Sequence, residues 1–291
     1  MPSGDTTVNA LLDSLDTIVA SARIVQEFEG VMQQLVDKIT LKEGTGLDWK
    51  EVSFDRLTAQ DITETTKLDN PQLLSDSAIT ITPTVAAIHT VILDRVRARL
   101  NKTALGQIGP LAQNAMERKK DVDGLTVLDS FTNTNPGAGS ILTTGTINAA
   151  VSVVRTGDDT EPSKPPYRAV LHSYQLKDLE DELRSGIGTY VIDEGLTARV
   201  FKEGFRGVIS GCQLYEDNNI DIDASADSKG GVFAQRAIVL VQGRGPRVVH
   251  LRNEKLGGGA DELLMYDEYA YGIRLNAWGY EIYSDTTEPT S

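Results

Sequence analysis

The chain has a single cysteine, Cys212, so it holds no internal disulfide. That fits a reducing compartment, or a design indifferent to redox. It has three histidines, His89, His172 and His250, each in a different predicted strand or strand end. None stands at ligand spacing from another, HExxH is absent, and a zinc site built on one cysteine has no partners to name. Nothing approaches the run of about 18 apolar residues that a membrane helix needs. The opening MPSGDTTVNA lacks a positive n-region and an uninterrupted apolar stretch, so it does not read as a signal peptide. Basic residues are also short: 28 Lys and Arg stand against 42 Asp and Glu, a formal net charge of −14. A free-standing nucleic-acid binder usually carries a basic surplus or stripe. Two readings of the acidity stay open: plain solubility, or a surface kept from sticking to a polyanion that it encloses.

The usual catalytic signatures are missing too. Asp217, Asn219 and Asp221 match the first three oxygen ligands of a calcium loop. Its sixth position should be glycine and is Ile222, and its twelfth should be glutamate and is Ser228. Gly257-Gly258-Gly259 and Gly243-Arg244-Gly245 lack the lysine and following helix of a phosphate loop. GxSxG is absent. Ser173 follows His172, but chain neighbours in a strand point to opposite faces. No catalytic, cofactor or metal site emerges.

What is present is a mixed α+β pattern, long enough at 291 residues for two lobes. From Thr103 to Asp121, Leu105, Ile108, Leu111, Ala112, Ala115 and Met116 fall on one helix face. Gln107, Gln113, Asn114, Glu117, Arg118 and Lys120 cover the other. Thr103 reads as the N-cap and Gly124 as the stop. Pro110 predicts a bend, or a helix that effectively begins there. Val8 to Ile39 reads as one or two amphipathic helices, an arm laid on a body, with a coiled coil as the other reading. Lys50 to Asp55 alternates as a strand. Ala78 to Leu93 reads as a long strand, with a helix from Pro83 as the competing reading. Between them lies a polar excursion with little apolar content. Such a hairpin cannot bury enough surface to be rigid alone, so it is expected to need a partner.

Further on, Thr132 to Gly139 reads as turn, and helices are expected at Thr146–Arg155 and Gln175–Arg184. Strands are expected at Ala169–Leu171, Phe201–Tyr215, Ala237–Val241, Val248–Leu251, Leu263–Tyr269, Ile273–Ala277 and Tyr280–Ser284. Ile187 to Thr197 reads as loop, and Glu216 to Gly231 as an acidic loop.

Four stretches, in order, resemble a known family. ITITPTVAAIHTVI runs on into a helix ending MERKKDVDG, over Ile79 to Gly124. YRAVLHSYQLKDLEDEL follows at Tyr167 to Leu183, with Ser173 where the family usually has proline. EGFRGVISGCQLYEDNNI, Glu203 to Ile220, carries Gly204, Gly207 and Gly211. YAYGIRLNAWGYEI spans Tyr269 to Ile282. Together they are similar to a tailed-phage major capsid protein of the HK97-like fold, from about Trp49 to Ser284.

The resemblance implies an N-terminal arm (1–46) and an extended β-hairpin loop (47–93). It implies a peripheral domain (94–140, with 235–291) that carries the spine helix on a long sheet, and an axial domain (141–234). It implies a shell subunit, not an enzyme and without a cofactor, that forms hexamers and pentamers around double-stranded DNA. DNA would be touched only weakly and non-specifically, and no membrane is involved. A scaffolding protein, a portal and a decoration protein are the implied partners, with assembly in the host cytoplasm and residence in the virion. Across subunit boundaries, Arg56, Asp61, Glu64, Lys67 and Asp69 are expected to pair, and Trp49 and Phe54 to anchor. Some family members link subunits through a lysine in this loop; Lys67 is the only lysine near its tip, and no asparagine partner can be named for it. An encapsulin-like compartment shell is the alternative on the same fold, and a soluble enzyme with an unrecognised site the alternative of another class.

Overall fold

A computed structural model describes residues 27–28, 30–44, 46–59, 61–64, 71–98, 108–157, 161–187 and 207–290. The elements, in order, are α1 (Met32–Leu35), β1 (Asp37–Thr40), β2 (Trp49–Phe54), β3 (Asp76–Ile81), β4 (Thr84–Leu93), α2 (Asp94–Arg97), α3 (Ile108–Leu128) and β5 (Thr134–Pro136). Then come α4 (Thr144–Thr156), β6 (Tyr167–Leu171), α5 (Ser173–Ile187), β7 (Val208–Ile209), β8 (Cys212–Glu216), β9 (Asp227–Ala234), β10 (Ile238–Gln242), β11 (Arg247–Asn253) and β12 (Ala260–Ile273). A short 3₁₀ turn (Asn276–Trp278) leads to β13 (Gly279–Asp285).

β12 is the axis of the first sheet. It pairs antiparallel with β10 through its last residues and with β11 through its first. Along its other edge it pairs with β4 for ten residues, from Ala260↔Leu93 to Tyr269↔Thr84. β1 joins β10 in parallel. Ala78–Leu93 is therefore extended, interrupted only at Thr82-Pro83, where the chain passes from β3 to β4. A helix from Pro83 is excluded, because the β-branched run finds a ten-residue partner in β12.

The spine helix α3 lies on this sheet. Ala112 and Met116 pack on Met265, Ala86 and Ile88. The buried stripe then continues through Lys120, Asp121, Gly124, Leu125 and Leu128. Gly124 does not stop the helix. It lies where Tyr271 and Met32 close in, and a Cβ there would fall 3.0 Å from the Tyr271 ring. Leu111 is exposed and Ile108 and Ala115 are outside the fully buried set, while Leu105 lies outside the described residues. The face turned further than the apolar residues indicated because charged residues complete it. Lys120 pairs with Asp267 at 2.5 Å, both buried, and sits 4.8 Å from the centre of the Tyr269 ring.

The second sheet has the order β5-β13-β9-β6-β8-β7. α4 is capped by the Thr143 hydroxyl, which accepts from the Thr146 amide at 3.2 Å, and buries Ile147, Ala150, Val151 and Val154. Leu176 and Leu179 of α5 are also buried. β13 pairs with β9 from Gly279↔Phe233 to Asp285↔Asp227, so the last strand belongs to the sheet built by β6, β8 and β9. One core cluster runs from Met32 and Leu35 through Leu128, Val170 and Phe233 to Ile238 and Ile282, continuous across both sheets.

Several sequence expectations change. Residues 37–40 are strand rather than helix, because β10 offers Asp37–Thr40 a parallel partner; before them stands one helical turn, and Val8 to Gln26 lies outside the described residues. Val208 to Glu216 is a hairpin turned at Ser210 and Gly211, both with positive φ, rather than one strand. The acidic loop is shorter than expected, because β9 already begins at Asp227. Gly230 lets β9 approach β6, since a Cβ there would lie 2.4 Å from the Val170 carbonyl. Of the two strands expected within 263–277, the first is part of the longer β12, which ends at Ile273, and in place of the second the chain bends into the 3₁₀ turn. Thr132–Gly139 contains β5, paired with β13. Residues 188–197 lie outside the described residues.

Candidate assembly interface

β2 and β3 form an antiparallel ribbon, from Trp49↔Ile81 at the base to Phe54↔Asp76. The two arms stay side by side beyond the strands. The Asp55 amide donates to the Ser75 carbonyl at 3.1 Å, and the Thr58 amide to Gln72 Oε1 at 2.9 Å. Strand alternation gives the ribbon two faces. Trp49, Ile79 and Ile81 turn to the body and pack on Val239, Val241 and Ala270. Ile81 presses on Gly272, where a Cβ would fall 2.4 Å from its Cδ1.

Arg274, just past the end of β12, pins this base. Its Nε donates to Glu51 Oε2 at 2.7 Å, one terminal nitrogen to Asp37 Oδ2 at 3.0 Å, and the other to the Arg236 carbonyl at 2.8 Å. Its guanidinium also lies 5.9 Å from the centre of the Trp49 ring. One side chain thus ties hairpin, β1 and the main sheet together.

Beyond the base the described hairpin residues are bare. Val52, Phe54, Leu57, Ile62, Leu73 and Leu74 are all exposed, Leu73 to 89%. Leu47 and Val85 extend the same exposure along the root. Clustered exposed apolar side chains mark a surface made to be covered. In the sequence this segment reads as polar. Leu57, Ile62, Leu73 and Leu74 are there to be counted, but they follow no helix or strand period and so define no face. At the root, Ile39, Leu41, Leu47 and Trp49 line an open cleft of about 530 Å³.

Of the residues expected at the interface, Phe54 is 66% exposed on the outer face, whereas Trp49 is half-buried in the base cluster. Arg56, Asp61 and Glu64 are exposed, and none makes an ion pair among the described residues. Lys67 and Asp69 lie outside the described residues.

Other chemistry does not assemble. Asp217 turns inward, its Oδ2 accepting from the Val31 amide at 3.1 Å, and Asp223 accepts from the Ser225 and Asp227 amides. No group of three His, Cys, Asp or Glu placed to hold a metal occurs among the described residues. Cys212 is buried, which pushes the pKa of its thiol up to about 12. No described helix is long and apolar enough to cross a membrane.

No family model matches the sequence, and no curated protein matches it. Solved structures do. The capsid structure of the cyanophage P-SCSP1u aligns over 99% of this chain and 97% of its own, at a TM-score of 0.72 and 12% identity. The structure of Mycobacterium phage Che8 aligns over 94% and 99%, at 0.70 and 14%. The acidic stable capsid structure of Helicobacter pylori bacteriophage KHP30 aligns over 96% and 98%, at 0.70 and 13%. The chain has the HK97-like fold of phage capsid proteins, mixed α+β, as the four sequence stretches implied.

Proposed function

We propose that this chain is the major shell subunit of a tailed phage, built into hexamers and pentamers that enclose double-stranded DNA. The observation that carries the reading is the hairpin: a ribbon rooted on a pinned base, with an apolar far part that the described residues leave bare. A second copy supplies the missing cover. Burying a side chain such as Phe54 or Leu73 is worth about 1.5–3 kcal/mol. Exposed ion pairs from Arg56, Asp61, Glu64, Lys67 and Asp69 add only about 0–1 kcal/mol each and set register. Many such contacts per subunit accumulate because each copy is held at several places. Head-to-tail contacts of this kind close into rings and shells when the rotation closes.

In this reading α3 with β10, β11 and β12 belongs to the rigid peripheral domain (94–140 with 235–291), and α4, α5, β6, β8 and β9 to the axial domain (141–234); β5 and β13, from the peripheral stretches, pair into the axial sheet. The net charge of −14 keeps the inner wall from gripping DNA, which meets it only in weak, non-specific contact. Scaffolding protein, portal and a decoration protein are the partners such a shell takes, and assembly occurs in the host cytoplasm before residence in the virion.

Deleting Ala59–Ser75 tests the reading. The shortened subunit is expected to keep its circular dichroism and melting cooperativity, because no described residue of that stretch is buried, and to lose particle formation in negative-stain microscopy. Unchanged shells would refute the hairpin's role.

A further inference from the structure

The stretch of chain just before β1 lies along the spine helix and crosses two buried carboxyls. The Met32 amide donates to Asp121 Oδ1 at 3.0 Å, and the Val31 amide to Asp217 Oδ2 at 3.1 Å. Asn219 closes the group: its Nδ2 donates to Asp121 Oδ2 at 3.0 Å and its amide to Asp217 Oδ1 at 2.9 Å. Gly30 allows the crossing, since a Cβ there would fall 2.2 Å from Asp121 Cγ. Each carboxyl residue is only 1% exposed, and Asn219 bonds to both.

Neither Asp121 nor Asp217 pairs with a Lys, Arg or His among the described residues. Arg118, nearly one turn back on α3, is turned to Glu27 at 3.7 Å. From β12, Tyr271 presents a buried hydroxyl with no hydrogen-bond partner among the described residues. Asp123 points away, accepting from the Tyr269 hydroxyl at 2.7 Å. On the far side, near Asp217, stand Glu216 and His172; burial holds His172 below its ordinary pKa, against the pull of both acids. Two adjacent carboxylates in a dry site resist double ionisation, so a proton between them relieves the repulsion.

We propose that Asp121 and Asp217 form a proton-sharing latch that clips the Gly30–Met32 backbone onto the spine helix, and that loss of the shared proton releases that backbone. Burial first, and then the charge and hydrogen bond of Asp217, push the pKa of Asp121 up to about 7. A carboxyl whose folded pKa is raised stabilises fully below its unfolded value and loses that contribution as pH rises through the folded one. The latch is therefore complete below the ordinary carboxyl range, weakens as pH rises from there, and is fully loosened once pH has passed about 7. At that point a second negative charge enters the site.

Hydrogen exchange of the full-length, unassembled subunit, read at Val31 and Met32, tests this. Their protection factors are expected to fall by up to about tenfold per pH unit between the ordinary carboxyl range and about 7, and to level off above it. Asp121→Asn places an amide hydrogen where the shared proton sits and is expected to flatten that profile while core protection stays put. A level wild-type profile, or an Asp121→Asn profile that still falls, overturns the latch. Should Asp121→Asn not fold, infrared spectroscopy of the wild type decides: a buried carboxylic-acid band that bleaches near neutrality supports it, and no such band overturns it. The readout needs only single subunits, so it stands or falls separately from shell formation.

Discussion

Arg274 shows how much one side chain can set. It is 13% exposed and bonds three segments far apart in sequence: Glu51 of the hairpin, Asp37 of β1 and the Arg236 carbonyl. Hydrogen bonds to charged groups contribute about 1.5–3 kcal/mol each, less here because Glu51 and Asp37 are partly solvated. Arg274→Ala is expected to lower global stability by only about 1–3 kcal/mol. It should raise hydrogen exchange along β2 and β3 far more than in β9 or β13. Equal loosening everywhere would mean that Arg274 is a general core contact rather than the hairpin's pin. None of this is legible in the sequence, where Arg274 sits among aromatic and glycine residues with no periodic partner. Its role arises from three chain segments meeting, which no local pattern encodes. The same holds for Asp121: on a helical wheel it is one more polar residue past Lys120, and only the crossing of Gly30 and Met32 gives it a role.

Among the elements, legibility follows locality. α4 and β2 are readable because 3.6-residue spacing and strand alternation are written within a few residues. β4 is readable as a strand from its Ile, Val and Thr content, though its place beside β12 is not. The spine helix is evident in the sequence but misread at its far end. Lys120, Asp121 and Gly124 look like an exposed, terminating turn until Asp267, Met32 and Tyr271 are set against them. Nearer its start, Ala112 lies against Met265, Ala86 and Ile88. Ala112→Asp puts an unpaired charge there and is expected to abolish folding, seen as insoluble expression or lost tertiary dichroism. A soluble, cooperatively melting Ala112→Asp would show that this face is not the helix's seat. For the hairpin, residue pattern gives the ribbon and the expectation of a partner, but not the exposed apolar run of Leu57, Ile62, Leu73 and Leu74.

At the scale of the molecule, rigid and unsatisfied parts are separated. One continuous core joins both sheets, while the exposed large apolar residues concentrate between Leu47 and Val85. A chain arranged in this way is stable as a body and incomplete as a surface. The comparison that exposes the division most directly is hydrogen exchange over residues 52–59, 61–64 and 71–75, in free subunits and in assembled particles. The account predicts little protection in the free subunit and strong protection in the particle, with β9 and β13 protected in both. Equal protection of the hairpin in the two states would contradict it.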